Sequence, residues 1–241
     1  MLRNLLQKLV GTTPNHVIIY SHGFGVQKDD RKLFTDIAKH IPHTMHHMFD
    51  YNNINKTTLE VTAAPLTSQA QMLNQQIKDI KAKYPHATID IVAHSQGCVA
   101  VAIAMPRDIS QIVFLAPPAQ LPTKDRKLQL LALPTTTEGS DGSIRYPRRD
   151  GTTTIIGNDY WNSCEGINPP QLYNQLSDLT DLTIIKAHDD EVLGDISFGQ
   201  LSPNIRYLEV HADHNFTADN HADIANTVKE ILNPPANAPQ K

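Results

Sequence analysis

Short apolar runs alternate along this chain with longer segments whose apolar positions recur every three or four residues. Residues 16–20, 44–51, 88–93, 111–115, 182–187 and 205–210 read as strands by length and by their β-branched and aromatic content. Residues 68–83 carry Met72, Leu73, Ile77 and Ile80 as a helical stripe, ended by Tyr84-Pro85. A further helix is predicted from Asp29-Asp30 to about His40, where Pro42 stops it, and a last one from about Ala218 to Leu232, before Pro234-Pro235. Residues 98–105 are small and apolar all round, as in a helix packed on every side. Strands separated by helices need right-handed crossovers. The expected fold is therefore of the α/β class, a mostly parallel sheet of about six strands with helices on both faces.

The alternation breaks between residues 117 and 180. That length suits a small cap inserted over the carboxyl ends of the strands, where sites form in such sheets. Within it, Ile144 to Arg149 and Thr152 to Ile156 flank Asp150-Gly151, a strong hairpin signal. Pro147 would confine the first arm to a sheet edge. The rest reads as one domain over residues 1–241, with a tail from about 234 to 241 expected to be disordered. There is no internal repeat.

Composition narrows the classes. The chain has 241 residues, 40% of them hydrophobic, enough for a sizeable core. A net charge of −4 gives no basic field of the kind that marks a nucleic-acid binder. Charge is unevenly spread: residues 117–151 hold six basic and four acidic side chains, which reads first as ordinary solvated surface and alternatively as a slightly basic cover that would favour anionic substrates. Cys98 and Cys164 are too far apart to suggest a zinc site or a disulfide framework. Residues 1–10 lack the continuous apolar core of a signal peptide, and no run is long enough to span a bilayer. A cytoplasmic protein without a membrane span is the default expectation.

Candidate chemistry sits at the strand ends. Ser95, in Ala93-His94-Ser95-Gln96-Gly97, follows an apolar strand and precedes the small-residue helix. A tight turn there would expose its hydroxyl, and it needs small neighbours two residues away on either side; Ala93 and Gly97 qualify. His22-Gly23-Phe24-Gly25 follows the first strand and could bring backbone N–H groups close to a reacting centre. After the fifth strand come His188, Asp189, Asp190 and Glu191, and after the sixth His211, Asp213 and His214. Residues just beyond neighbouring parallel strands converge, so an acid and a base for Ser95 are available in the order Ser, Asp, His. His43, His46 and His47 cluster near the second strand, but alternation puts His46 and His47 on opposite faces, which argues against a metal site.

These segments resemble the α/β-hydrolase superfamily, whose turn around the nucleophile reads G-x-S-x-G; Ala93 stands in place of the first glycine. The closest likeness is to small bacterial esterases and serine aminopeptidase-like members with a short cap. The resemblance implies an α/β-hydrolase fold and a catalytic Ser95. It makes His214, in its His-Asn-Phe setting, the base in preference to His211. It makes Asp190 the acid, matching G-x-x-D-x-V over residues 187–192, with Asp189 as the competitor. Phe24 and Gln96 would supply the oxyanion N–H groups, and His22 would order the loop. Tyr160 and Trp161 would either line a substrate pocket or anchor the cap. No metal or cofactor is required, and the implied partner is a small-molecule acyl substrate. The implied activity is that of a carboxylesterase. An amidase, peptidase or thioesterase with the same residues, and a non-catalytic binding protein on the same fold, remain open alternatives.

Overall fold

The computed structural model describes residues 14–122, 124–148, 150–217 and 220–233. The expectations for residues 1–10 and 234–241 lie outside the described residues. In chain order, β1 (His16–Ser21) leads through a short 3-10 turn (Asp30–Lys32) into α1 (Leu33–His40) and β2 (Met45–Met48). A small hairpin of β3 (Asn53–Asn55) and β4 (Glu60–Thr62) precedes α2 (Leu66–Lys83), β5 (Thr88–His94), α3 (Gln96–Ala104) and β6 (Gln111–Leu115). Then come α4 (Lys124–Leu131), β7 (Thr137–Glu138), β8 (Ile144–Pro147), β9 (Thr153–Ile156), α5 (Asn158–Cys164) and α6 (Pro169–Ser177). β10 (Asp181–Ala187), β11 (Arg206–Val210) and α7 (Asn220–Leu232) follow.

The main sheet has six strands in the order β11-β10-β6-β5-β1-β2, every adjacent pair parallel. Its apolar runs are continuous because both faces are covered. Alternate residues enter opposite cores. Val17, Ile19, Ile91, Phe114 and Ile184 pack on the side of α2, α3 and α6. Ile18, Tyr20, Val92, Val113 and Ile185 pack on the side of α1 and α7. α3 is buried all round because it lies between the sheet, α2 and α6, which accounts for its lack of a polar face.

A second sheet, in the order β3-β4-β9-β8-β7, joins two stretches far apart in sequence. β4 pairs with β9 in parallel, and β8 and β9 form the hairpin at Asp150-Gly151, where Gly151 takes φ 86°. β3, β4 and β7 were not expected; at two or three residues each they have no periodicity to read. The edge expectation for Pro147 is corrected. β8 has neighbours on both sides, but its pairing with β7 stops at Arg145. The missing N–H of Pro147 therefore faces no β7 partner.

The stretch 117–180 is not one unit. α6 belongs to the main body: the Tyr173 ring packs on Phe114 at 5.2 Å, and its hydroxyl donates to Pro118 O at 2.8 Å. Tyr160, Trp161, Ile144 and Ile156 share one buried cluster with the main sheet. Among the described residues, no helix is long and apolar enough to cross a membrane.

Phe114 is fully buried between β5, β10 and α6. Phe114→Ala is expected to cost about 3–5 kcal/mol, read from a urea unfolding midpoint.

Candidate active site

β1 and β5 are neighbours, yet the chain leaves β1 toward β2 on one side and returns to β5 on the other. Such a reversal opens a crevice beyond the carboxyl ends of the two strands. The glycine-bearing loop at residues 22–25 leaves β1 at that crevice, and the turn at Ser95 leaves β5.

Ser95 caps the start of α3 with φ 53° and ψ −128°, a backbone region that costs a non-glycine residue about 1–3 kcal/mol. The surroundings hold it there. Its N–H donates to Leu115 O at 2.9 Å, and its carbonyl accepts from Cys98 N–H at 3.0 Å. Two residues on, a Cβ at Gly97 would lie 2.2 Å from Ser21 O and 2.6 Å from His22 O, so no side chain fits. Ser21 Oγ donates to Gly97 O at 2.9 Å and locks the two segments together. Ala93 lies between Ser21 and Phe114 in register and is fully buried, so its methyl group fills core space. A Cβ at Gly23 would sit 3.2 Å from Ser95 Cβ, which shows how close the loop passes to the hydroxyl.

Three side chains form a continuous hydrogen-bonded line. His214 Nε2 lies 2.9 Å from Ser95 Oγ, and His214 Nδ1 lies 2.7 Å from Asp190 Oδ2. Asp190 Oδ1 accepts from the N–H groups of Val192 (2.9 Å) and Leu193 (2.7 Å). Burial raises the pKa of Asp190, but His214 and these two N–H groups outweigh it and hold the carboxyl below its ordinary value. A carboxylate so placed keeps the imidazole proton on Nδ1 and leaves Nε2 to accept from Ser95. Glu191 is exposed and accepts from the His214 N–H at 3.1 Å.

His94 had no assigned role, and it also bears on this line. Its Nε2–H donates to His214 O at 2.8 Å, with the two rings 5.0 Å apart. Burial and the neighbouring His214 push its pKa down to about 3. Its position beside Ser95 was the available signal. His22 is buried with both nitrogens satisfied: Nδ1–H donates to Gly23 O and Nε2 accepts from Tyr51 N–H, each at 2.9 Å. Burial lowers its pKa, so it stays neutral. Tyr51 also bonds Ser21 Oγ at 2.8 Å, a link that no spacing in the sequence announces.

Phe24 packs its ring on Tyr160 at 4.9 Å, and Gln96 opens α3, where the first N–H groups of a helix have no partner within it. Tyr160 is buried and donates its hydroxyl to Gln96 Oε1 at 2.5 Å, tying residues 157–165 to the start of α3. Trp161 stands edge-on to Tyr160 and lines a cavity of about 480 Å³ with Leu121, Pro122, Asp125, Cys164 and Ile167. Gln96 Nε2 and Trp161 Nε1 are buried without a partner among the described residues. A cavity of about 210 Å³ lies between the loop at Gly25 and the hairpin at Asp150 and Thr152. Neither cavity has Ser95 or His214 in its lining.

The remaining candidates lie elsewhere. Asp189 and His211 are exposed and face each other and His188. His221, on α7, bonds Asp36. His46 bonds Tyr20 and Ile41 O, His47 bonds Gln76, and these two do not converge with His43 on a common point. Cys98 is fully buried, and burial raises its thiol pKa well above the usual value. In the basic stretch, Arg145 pairs with Glu60 and Lys127 with Glu138, so part of that charge is neutralised locally.

Similar architecture recurs in known structures. Est1E from Butyrivibrio proteoclasticus superposes with TM-score 0.65 at 18% identity, over 93% of this chain and 89% of that one. The esterase domain of a Rhodothermus marinus protein gives 0.63 at 15% identity, over 92% and 88%. The hydrolase olei00960 from Oleispira antarctica gives 0.61 at 14% identity, over 91% and 92%. The fold is that of the α/β hydrolases. No family model and no curated relative matches the sequence.

Two predictions follow from the packing around Ser95. Gly97→Ala forces a methyl group into two carbonyl oxygens and should lower stability by about 3 kcal/mol or more. Ala93→Gly should cost about 1 kcal/mol by the same denaturant measurement. A further prediction concerns acid. His94 binds a proton less readily folded, near pH 3, than unfolded, near 6.5. Stability is therefore full above about pH 6.5 and falls as the pH drops from there toward 3. His22 and Asp190 act in the same direction, Asp190 only below its ordinary carboxylate range. His94→Gln should flatten this slope in thermal melts between pH 6.5 and 4, by at most about 1.4 kcal/mol per pH unit.

Proposed function

We propose that this protein is a serine hydrolase that cleaves a carboxylic ester of a small molecule through an acyl-enzyme. The observation that carries this reading is the hydrogen-bonded line from Asp190 through His214 to a Ser95 held at positive φ. In this mechanism His214 Nε2 takes the Ser95 proton as Oγ attacks the ester carbonyl. The oxyanion is held by the N–H groups of Phe24 and Gln96, and the start of the α3 dipole adds to that field. The imidazolium then protonates the leaving alcohol. Water, activated by the same imidazole, attacks the acyl carbonyl and frees Ser95 and the carboxylic acid. Asp190 orients the imidazole and stabilises its charged form throughout. The chemistry needs no metal or cofactor.

Esters are favoured over amides because the esterase domain of the Rhodothermus marinus protein shares this fold. The buried Tyr160–Gln96 contact supports a role for Tyr160 in anchoring residues 157–165 beside the site. Trp161 is the better candidate for touching a substrate.

Ser95→Ala should abolish hydrolysis of short-chain p-nitrophenyl esters and labelling by a fluorophosphonate probe. Labelling that persists in folded Ser95→Ala protein would overturn the assignment. Asp190→Asn should lower kcat about 10⁴-fold, whereas Asp189→Asn should leave it unchanged. Equal losses in the two variants would reject Asp190 as the acid.

A further inference from the structure

β10 and β11 stay tied beyond their ends. His188 N–H donates to Val210 O at 2.8 Å, and Asp189 N–H donates to Ala212 O at 3.0 Å. While Asp190 turns inward to His214, the preceding residue turns outward, and the backbone tie brings His188, Asp189 and His211 together at the surface. The two imidazole rings are 4.6 Å apart at 66°. His211 Nδ1 lies 3.8 Å from the Asp189 carboxylate and His188 Nε2 lies 4.0 Å from it. One ligand-capable atom from each residue lies within 4.8 Å of the other two.

We propose that His188, Asp189 and His211 form a surface site for a divalent transition-metal ion of the zinc class. Two imidazoles and a carboxylate suit Zn²⁺, Ni²⁺ or Cu²⁺, whereas Mg²⁺ and Ca²⁺ favour oxygen ligands. The outer contacts fit the same role. His188 Nδ1 lies 2.9 Å from Glu209 Oε1, so Nδ1 carries the proton and the Nε2 lone pair faces the cluster. Glu209 is held in turn by Lys186 at 3.5 Å, and Lys186 also bonds Asp195 at 3.1 Å. A carboxylate behind a ligating imidazole fixes its ring and raises its basicity.

The dimensions are close to those required. Zinc–ligand bonds of about 2.0–2.1 Å place tetrahedral neighbours about 3.3 Å apart, so the cluster must close by roughly an ångström. The backbone is fixed by strand pairing, and the side chains that must turn are 52%, 63% and 84% exposed at His188, Asp189 and His211. Little stands in the way of that rotation. Water would complete a four-coordinate shell. An ion held there would cross-link the loop that carries Asp190 to the loop that carries His214, and would stabilise the arrangement of both.

The site is independent of the hydrolase reading, and its test does not use activity. Chelator-treated full-length protein would be titrated with Zn²⁺ while its melting temperature is followed, and with Co²⁺ while its visible absorption is followed. At a hundredfold excess over the dissociation constant, Zn²⁺ should raise Tm by about 5–10 °C. Co²⁺ should develop a d–d band. His188→Ala, Asp189→Asn and His211→Ala should each lose most of the shift, whereas Ser95→Ala and His43→Ala should keep it. The proposal is overturned if Zn²⁺ leaves the wild-type Tm unchanged. It is equally overturned if the variants at 188, 189 and 211 keep the full shift, or if Mg²⁺ or Ca²⁺ reproduces it.

Discussion

The turn at Ser95 depends on one close approach, that of α3 to the end of β1. The start of the helix sits against the carbonyls of Ser21 and His22, at a distance that only a glycine at position 97 permits. The Ser21 hydroxyl closes the contact from the other side. This contact allows β5 to reverse sharply into a helix with a serine at positive φ. The strain at Ser95 is stored locally and balanced by packing: α3 lies between the sheet, α2 and α6, and its buried residues include Cys98, Val99, Ala100, Val101 and Ala102. A polar face on that helix would leave unpaired groups in the core, so the small apolar run after Ser95 and the strained turn belong together.

Everything else at the site is placed by the sheet. Parallel pairing brings the ends of β5, β10 and β11 to one side, and the loops that follow carry Ser95, Asp190 and His214. The acid loop is not held by side chains alone. Its carboxylate takes two backbone N–H groups from Val192 and Leu193, and its backbone pairs with the histidine loop through His188 and Asp189. The same backbone tie that orients Asp190 inward leaves Asp189 outside. The turn that follows β10 keeps His188 and Asp189 at the surface and carries Asp190 inward, so one strand end can serve a buried hydrogen-bonded line and a surface cluster at once.

The inner strands β1, β5, β6 and β10 were legible because each is apolar enough to be buried on both faces, and α1, α2, α3 and α7 because an apolar stripe, a breaker or an all-apolar run marks each. The hairpin at Asp150-Gly151 was legible from its turn chemistry alone. The second sheet was not. β3, β4 and β7 are too short to show a period, and the partner of β4 is β9, some ninety residues on, which no local signal encodes. For the same reason the stretch between residues 117 and 180 read as one insertion, although α6 packs as an ordinary crossover helix of the main body.

Local sequence by itself determined the strand-to-helix turn at Ser95, the glycine-bearing loop at residues 22–25 and the order of candidate serine, acid and base, because small residues and strand ends carry their own geometric meaning. Only the tertiary structure shows that Asp190 bonds His214 while Asp189, one position earlier, faces His211 at the surface. It also decided that His22 is a neutral brace between Gly23 and Tyr51, that Tyr160 bonds Gln96, and that His188 and His211 meet. Each of these is a contact between segments distant in sequence. The distance between them is set by packing of the whole sheet and by no property of either segment alone.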